Sequence, residues 1–282
     1  MAERIKKNTV KSCLIIFAIL ILVHGFEAIF LRMDETILGE NFINKVFGIM
    51  MIIVVLKLLN MKREDIGFKK GLFGSYGAKS IGLGFLLAII SFIIAYGIEI
   101  IILKNGGHEV SFGIFTTGFS LTGEAEVHTG FGFILMCIFF NIINVIMEEG
   151  TFRGLFNKII SIDHSPKFAL LFQAFLFGVW HIVTPLHNLI DGDIAVGAFI
   201  GLSVGYIILA GMMGIKWGLL YKMTGSLYAG MADHFFNNCI ATNLLHITTE
   251  SGTDEMMIVR VLIAQLLSFI AVIIISKSGT KK

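Results

Sequence analysis

Three short stretches of the sequence set carboxylates, imidazoles and an amide into otherwise apolar surroundings. The first holds Glu148, Glu149 and Arg153, the second Phe177 and His181, the third His234 and Asn238. On a helix, positions four apart share a face. Glu149 and Arg153 are therefore expected to meet as an ion pair, Phe177 and His181 to share one face, and His234 and Asn238 to share another. Glu148 is turned ~100° from Glu149, so it is expected to point elsewhere, without a local counter-ion. One carboxylate is anchored; the other is left free to act as a general base. With two imidazoles and a side-chain amide, that base could activate a water and stabilise developing negative charge. Two histidines and a glutamate are equally a zinc set, with water at the fourth position. No HExxH motif is present, because His108-Glu109 is followed by Val110, Ser111 and Phe112. Each stretch also has a structural reading. Glu149 and Arg153 could form an interfacial ion pair, and His181, or His234 with Asn238, could hydrogen-bond neighbouring helices.

The elements that must position these residues follow from composition. Of 282 residues, 56% are hydrophobic and only 15% charged, and the mean hydropathy is +0.85. Soluble chains carry about 25% charged residues. Apolar runs of about 18 residues or more read as membrane-spanning helices, and such runs recur along the chain. They predict helices near residues 12–31, 42–60, 79–103, 130–157, 167–189, 194–222, 226–247 and 256–276. The expected fold is all-α: a polytopic transmembrane bundle of about eight helices. Three sections are expected: helices and loops over 1–125, a core carrying the three stretches over 126–250, and a last helix with a basic tail over 251–282. The basic segment 1–11 leads into an apolar run with no small-residue cleavage site, which reads as an uncleaved first helix. Cys13, Cys137 and Cys239 all lie in apolar segments, with no CxxC pair; they read as small hydrophobes rather than as a disulfide framework. Charged residues inside such helices are expensive and usually functional, which singles out the three stretches.

The net charge of +2 says little, but its distribution says more. Basic segments (Arg4 to Lys11; Lys62 to Lys70; Arg153, Lys158 and Lys167; Lys216 and Lys222; Lys277 to Lys282) alternate with acidic ones (Asp34 to Glu40; Glu109, Glu124 and Glu126; Asp191 and Asp193; Glu250 to Glu255). By the positive-inside rule both termini are expected in the cytoplasm, of a chain in the cell membrane. Gly197, Gly201 and Gly205 recur every fourth residue, a pattern that lets helices approach closely in lipid.

Jointly, the three stretches resemble the CAAX protease and bacteriocin-processing (CPBP/Abi) family of intramembrane proteases. The family pattern EExxxR, FxxxH and HxxxN or HxxxD is supplied by Glu148-Glu149-xxx-Arg153, Phe177-xxx-His181 and His234-xxx-Asn238. The flanks Phe152-Arg153-Gly154 and Gly225-Ser226-Leu227 look like the family too. The motif-bearing stretch is roughly residues 130–245, less than half of the chain.

The resemblance implies an endopeptidase whose site opens toward the cytoplasm. By that carry-over, Glu148 and His181 activate a water and His234 and Asn238 stabilise the oxyanion, with Glu149, Arg153 and Phe177 in support. The expected cofactor is none; zinc held by Glu148, His181 and His234 is the alternative. The expected partners are the lipid bilayer and a protein or peptide substrate, with no nucleic acid. A non-enzymatic membrane scaffold, or an immunity or signalling protein keeping the same fold, is the competing reading. A transporter is a third, but no internal repeat supports it.

Overall fold

The structure, a computed structural model, describes residues 2–36, 38–72, 74–117, 127–252 and 254–279. Among the described residues, nine helices carry the architecture. After a short amino-terminal turn Ala2–Lys7 come α1 (Thr9–Phe26, extended by the π turn Glu27–Leu31), α2 (Ile43–Leu59) and α3 (Ser75–Asn105). Then come α4 (Phe131–Glu148, continuing through the π-helix Glu149–Phe156 into Asn157–Ile160), α5 (Pro166–Trp180) and α6 (Val183–Asp191). The chain ends with α7 (Val196–Thr224), α8 (Tyr228–Phe235, continuing as the π-helix Phe236–Thr242) and α9 (Met257–Gly279). Two small antiparallel ribbons complete it, β1 (Ser111–Ile114) with β4 (Leu245–Thr248), and β2 (Thr116–Thr117) with β3 (Val127–His128).

Among the described residues, six helical stretches are long and apolar enough to cross a membrane: Thr9–Glu35, Ser75–Asn105, Phe131–Ile160, Pro166–Asp191, Val196–Thr224 and Met257–Ser278. The chain is an integral membrane protein. Two of the expected eight helices are shorter. α2 has 17 residues, and α8 runs 8 residues before its 7-residue π-helical continuation. The helix expected to reach residue 247 stops at Thr242, because Leu245–Thr248 pairs with Ser111–Ile114 instead.

Sidedness on each helix follows lipid rather than water. In α4 the polar residues Asn141, Asn144 and Glu148 are buried. Their spacing of three and four places them on one stripe, while Phe131, Leu135, Phe139 and Ile142 are exposed. The apolar face looks outward and the polar stripe looks in. The helix expected over 167–189 breaks at His181 into α5 and α6. Pro185 explains the position: its ring clashes with the carbonyl four residues earlier and it lacks the N–H of an intrahelical bond.

Packing centres on α5 against α7, α8 against α3, and α9 against both α3 and α7. Close approach is real, but not where the glycine repeat predicts it. A Cβ added at Gly197, Gly201 or Gly205 would meet nothing within 4 Å, whereas one at Gly214 would lie 2.9 Å from Ala174 Cα and one at Gly178 would lie 2.6 Å from Ile207 O. The repeat lies on the exposed face of α7, and Gly211, Gly214 and Gly218 do the packing.

The loops gather at two ends. At one end the Thr9 hydroxyl donates to Asp163 (2.5 Å). That bond, with His164 beside it, holds the Asp163 carboxyl below its ordinary range. The Tyr76 hydroxyl donates to Thr224 O there, and the Tyr228 hydroxyl to Lys69 O. At the other end Arg32 pairs with Asp191 and Glu35, and Glu250 accepts from the backbone N–H of Glu109 (2.5 Å). The basic loops thus share one end and the acidic loops the other. Lys216 is an exception to the sequence reading. It is fully buried and paired with Asp233, so it is not a loop charge. Arg153 is likewise buried within its helix. Glu124 and Glu126 lie outside the described residues.

Candidate active site

Glu148 ends the α-helical part of α4, and the backbone widens into a π-helix at Glu149. π-Bulges insert an extra residue into a turn and are frequent at functional sites. The widening has a direct consequence. The two glutamates were expected to point apart, yet both reach His234. Glu149 Oε1 lies 3.0 Å from His234 Nδ1, and Glu148 Oε2 lies 3.5 Å from His234 Nε2. Glu148 is 4% exposed and Glu149 1%. The two carboxylates therefore grip opposite nitrogens of one imidazole.

Glu148 is held on one side only. The Trp180 indole Nε1–H donates to Glu148 Oε1 (3.1 Å). Its other oxygen, Oε2, is buried without a hydrogen-bond partner among the described residues. That oxygen is the atom of the pair free to take a proton. Trp180 is itself sandwiched, because the His24 ring from α1 stacks on it at 4.2 Å and 29°.

Arg153 and Glu149 are in contact, Nε to Oε2 at 3.5 Å, both buried. The guanidinium gets further support from rings. Its Cζ lies 3.8 Å from the Phe177 ring centroid and 4.8 Å from that of Trp217. A desolvated cation over an aromatic face is worth about 2 kcal/mol, which gives Phe177 a definite job. Gly230 leaves room for the arrangement, since a Cβ there would come within 3.1 Å of Glu149 Oε2.

His234 and Asn238 share a face, as expected, and bond to each other: Asn238 Nδ2 lies 3.0 Å from His234 Nε2. The Trp217 ring stacks flat on His234 at 4.0 Å and 14°. Asn237 also belongs to the group. It donates from Nδ2 to Asn238 Oδ1 (2.8 Å) and accepts from Gln265 Nε2 (2.8 Å). The π-helix over Phe236–Thr242 explains why two successive asparagines both turn inward.

His181 stands somewhat apart. Its Nδ1 is 2.8 Å from Phe177 O, an acceptor, so the ring proton sits on Nδ1 and Nε2 is bare. No hydrogen bond or ion pair joins it to Glu148. The Phe177 ring lies between the two histidines, 4.7 Å from His181 and 6.2 Å from His234. For zinc the donor types fit, but the spacing does not. Tetrahedral ligands at 2.0–2.2 Å from zinc stand about 3.5 Å from one another. Among the described residues, the only three with all donor atoms within 4.8 Å of one another are Glu35, His187 and Asp191. In that outer cluster, Arg32 already pairs with both Glu35 and Asp191.

Beside the site runs an apolar groove of about 730 Å³, lined by Ile21, Leu22, Gly25 and Phe26 of α1 and by Val179, Ile182 and Leu186 around the α5–α6 break. His24 and Trp180 lie on the same helices as these lining residues, next in sequence to Gly25 and Val179, and Trp180 reaches Glu148.

Sequence reasoning missed Trp180, Trp217, Lys216, Asp233 and Gln265. Lys216 and Asp233 carried a usable signal, since each is a charge within an apolar segment. The others had none, because their partners lie 16 or more residues away.

Residues 130–240 match the family model described as "Rce1-like: Type II CAAX prenyl endopeptidase Rce1-like". The family that the three motifs resemble is thus the one whose model matches, and all seven motif residues fall in the matched stretch. The match covers less than half of the 282 residues. No curated protein and no solved structure matches the chain.

Proposed function

We propose that this chain is an intramembrane endopeptidase that hydrolyses a peptide bond in a membrane-associated protein or peptide. The observation that carries the reading is Glu148: a buried carboxylate with one oxygen pinned by Trp180 and the other unpartnered beside His234. An oxygen with no committed partner is the atom a general base needs to take a proton. The match to an endopeptidase family over the stretch holding it supports the same conclusion.

In this mechanism Glu148 takes a proton from a water whose oxygen attacks the scissile carbonyl and returns it to the departing amine as the C–N bond breaks; His181 offers its bare Nε2 as the second acceptor, entering the site as substrate seats. Asn238 uses one amide hydrogen on His234; its second points at the developing oxyanion. Glu149, Arg153 and Phe177 hold the imidazole and the helix. The apolar groove lined by α1 and the α5–α6 break suits a substrate arriving from the bilayer. The mechanism is written without zinc; the donor atoms of Glu148, His181 and His234 are not gathered within 4.8 Å of one another.

The test is cleavage of a library of membrane-anchored peptides by purified protein in nanodiscs. Cleavage is expected, and it is expected to survive chelation by 1,10-phenanthroline. Activity lost on chelation and restored by zinc overturns the metal-free mechanism. A folded protein that cleaves nothing favours the scaffold reading.

We place both termini and the basic loops in the cytoplasm, with Asp193 and Glu250 outside. The gathering of basic loops at one end supports this. An impermeant thiol reagent added outside intact cells should label a cysteine at 193 or 250 and spare one at 69; labelling at 69 overturns the orientation.

A further inference from the structure

The buried polar chain that ends on His234 has one direction in which every donor meets an acceptor. It starts at Lys216 in α7, whose Nζ donates to Asp233 Oδ2 (2.5 Å), Gln265 Oε1 (2.6 Å) and Ser268 Oγ (2.9 Å). An ammonium has three donors and no acceptor. The Gln265 atom facing it is therefore the carbonyl oxygen. Ser268, accepting from Lys216, passes its own hydrogen to Gln265 O (3.2 Å). Asp233 Oδ2 also accepts from the Trp217 indole (2.6 Å), as an ionised carboxylate does.

From there the direction propagates. Gln265 presents its amide N–H to Asn237 Oδ1, Asn237 presents its own to Asn238 Oδ1, and Asn238 presents its own to His234 Nε2. A ring nitrogen that faces an N–H must offer a lone pair. The imidazole proton is then on Nδ1, where Glu149 Oε1 accepts it at 3.0 Å. Turning any one amide over forces the rest to turn, and the last would set Gln265 NH2 against the Lys216 ammonium. Donor against donor in a buried site leaves both unsatisfied, at about 1–3 kcal/mol each.

We propose that Lys216, acting through Gln265 and Asn237, is the positioning residue that keeps His234 a neutral imidazole with its Nε2 bare toward Glu148. The reading needs such a device, and the inference rests on it for His234's part in catalysis. His234 lies between two carboxylates, Glu148 and Glu149, which favour an imidazolium. Arg153, Asp233 and His181 are the other titratable groups around it. An N–H delivered to Nε2 opposes protonation there. His234 consequently accepts rather than donates on the Glu148 side, and oxyanion donation falls to the second amide hydrogen of Asn238.

The test reads the ring directly. The full-length protein is labelled with 15N-histidine and purified in nanodiscs, and the His234 signals are assigned by their loss in His234→Gln. In the unmodified protein Nδ1 carries the proton and Nε2 gives the signal of a bare nitrogen. Gln265→Met, similar in size but unable to relay, frees Asn237 and Asn238 to turn, and Nε2 gains a proton. Lys216→Arg, also a pure donor, leaves Nε2 bare. Cleavage by Gln265→Met is expected to lose at least about 10-fold in kcat while KM stays within about 3-fold. A protonated Nε2 in the unmodified protein overturns the proposal, whether or not any variant folds. So does a bare Nε2 in folded Gln265→Met, even if its cleavage is lost. Should no peptide be cleaved by any form, the endopeptidase reading fails, while the nitrogen signals still decide the relay.

Discussion

Glu148→Gln should lower cleavage by at least about 10³-fold per folded molecule while leaving the melting temperature nearly unchanged. The two halves of this expectation come from the two oxygens. Glutamine keeps a carbonyl that can accept from Trp180 Nε1, as Glu148 Oε1 does at 3.1 Å. Its amide nitrogen takes the place of Oε2, which has no protein partner to lose. The fold therefore loses little. What disappears is the atom that takes the proton, and general-base catalysis supplies about 10²–10⁴ of rate. Steady-state cleavage and a thermal melt on the same preparation decide it. A variant that cleaves within about 10-fold of the original would remove Glu148 from the role of base.

The fold was legible because lipid imposes simple rules. Apolar length located the six stretches long enough to cross a membrane, and the described basic and acidic loops gather at opposite ends of the bundle. The failures have identifiable causes. Spacing in sequence marks which face of a helix a residue occupies, but not whether a neighbour stands there. Gly197, Gly201 and Gly205 satisfy the packing pattern and meet nothing, because they lie on the exposed face of α7. The helix through His181 read as continuous although Pro185 lies four residues beyond, at the offset where a proline breaks one. Lys216 was counted as a loop charge because the positive-inside rule treats every lysine as exposed. Its pairing with Asp233 across 17 positions is a tertiary fact.

The site was legible in its membership and not in its wiring. The four-residue spacings put Glu149 beside Arg153 and His234 beside Asn238. An ideal α-helix, however, separates Glu148 from Glu149 and Asn237 from Asn238 by ~100°. The structure brings both members of each pair inward by changing to π geometry at Glu149 and at Phe236. Nothing in residue type announces that change. Its consequence is chemical, since one imidazole receives a carboxylate on each side and two asparagines act in series.

Asn238→Ala should reduce kcat by roughly 10²–10³-fold while KM moves little. The amide has two hydrogens. One is committed to His234 Nε2 at 3.0 Å, and Asn238 is only half-buried, so the other faces the space where substrate seats. A donor aimed at charge that exists only in the transition state contributes to kcat rather than to substrate binding. Sequence geometry alone makes Asn237→Ala a mild control, because it places Asn237 off the site. The structure changes that expectation. Asn237 is 5% exposed and stands between Gln265 and Asn238, so its removal strands a buried donor on one side and an acceptor on the other. Each stranded group costs about 1–3 kcal/mol. Asn237→Ala should therefore melt early and lose part of its kcat through a loosened Asn238, whereas Asn238→Ala should lose more kcat and less stability. Helix-to-helix adhesion alone predicts the reverse for Asn238: early melting with normal turnover per folded molecule. Measuring kcat, KM and melting temperature on both variants separates the cases, and an Asn238→Ala protein that melts early but turns over normally would move this residue from the site to the scaffold.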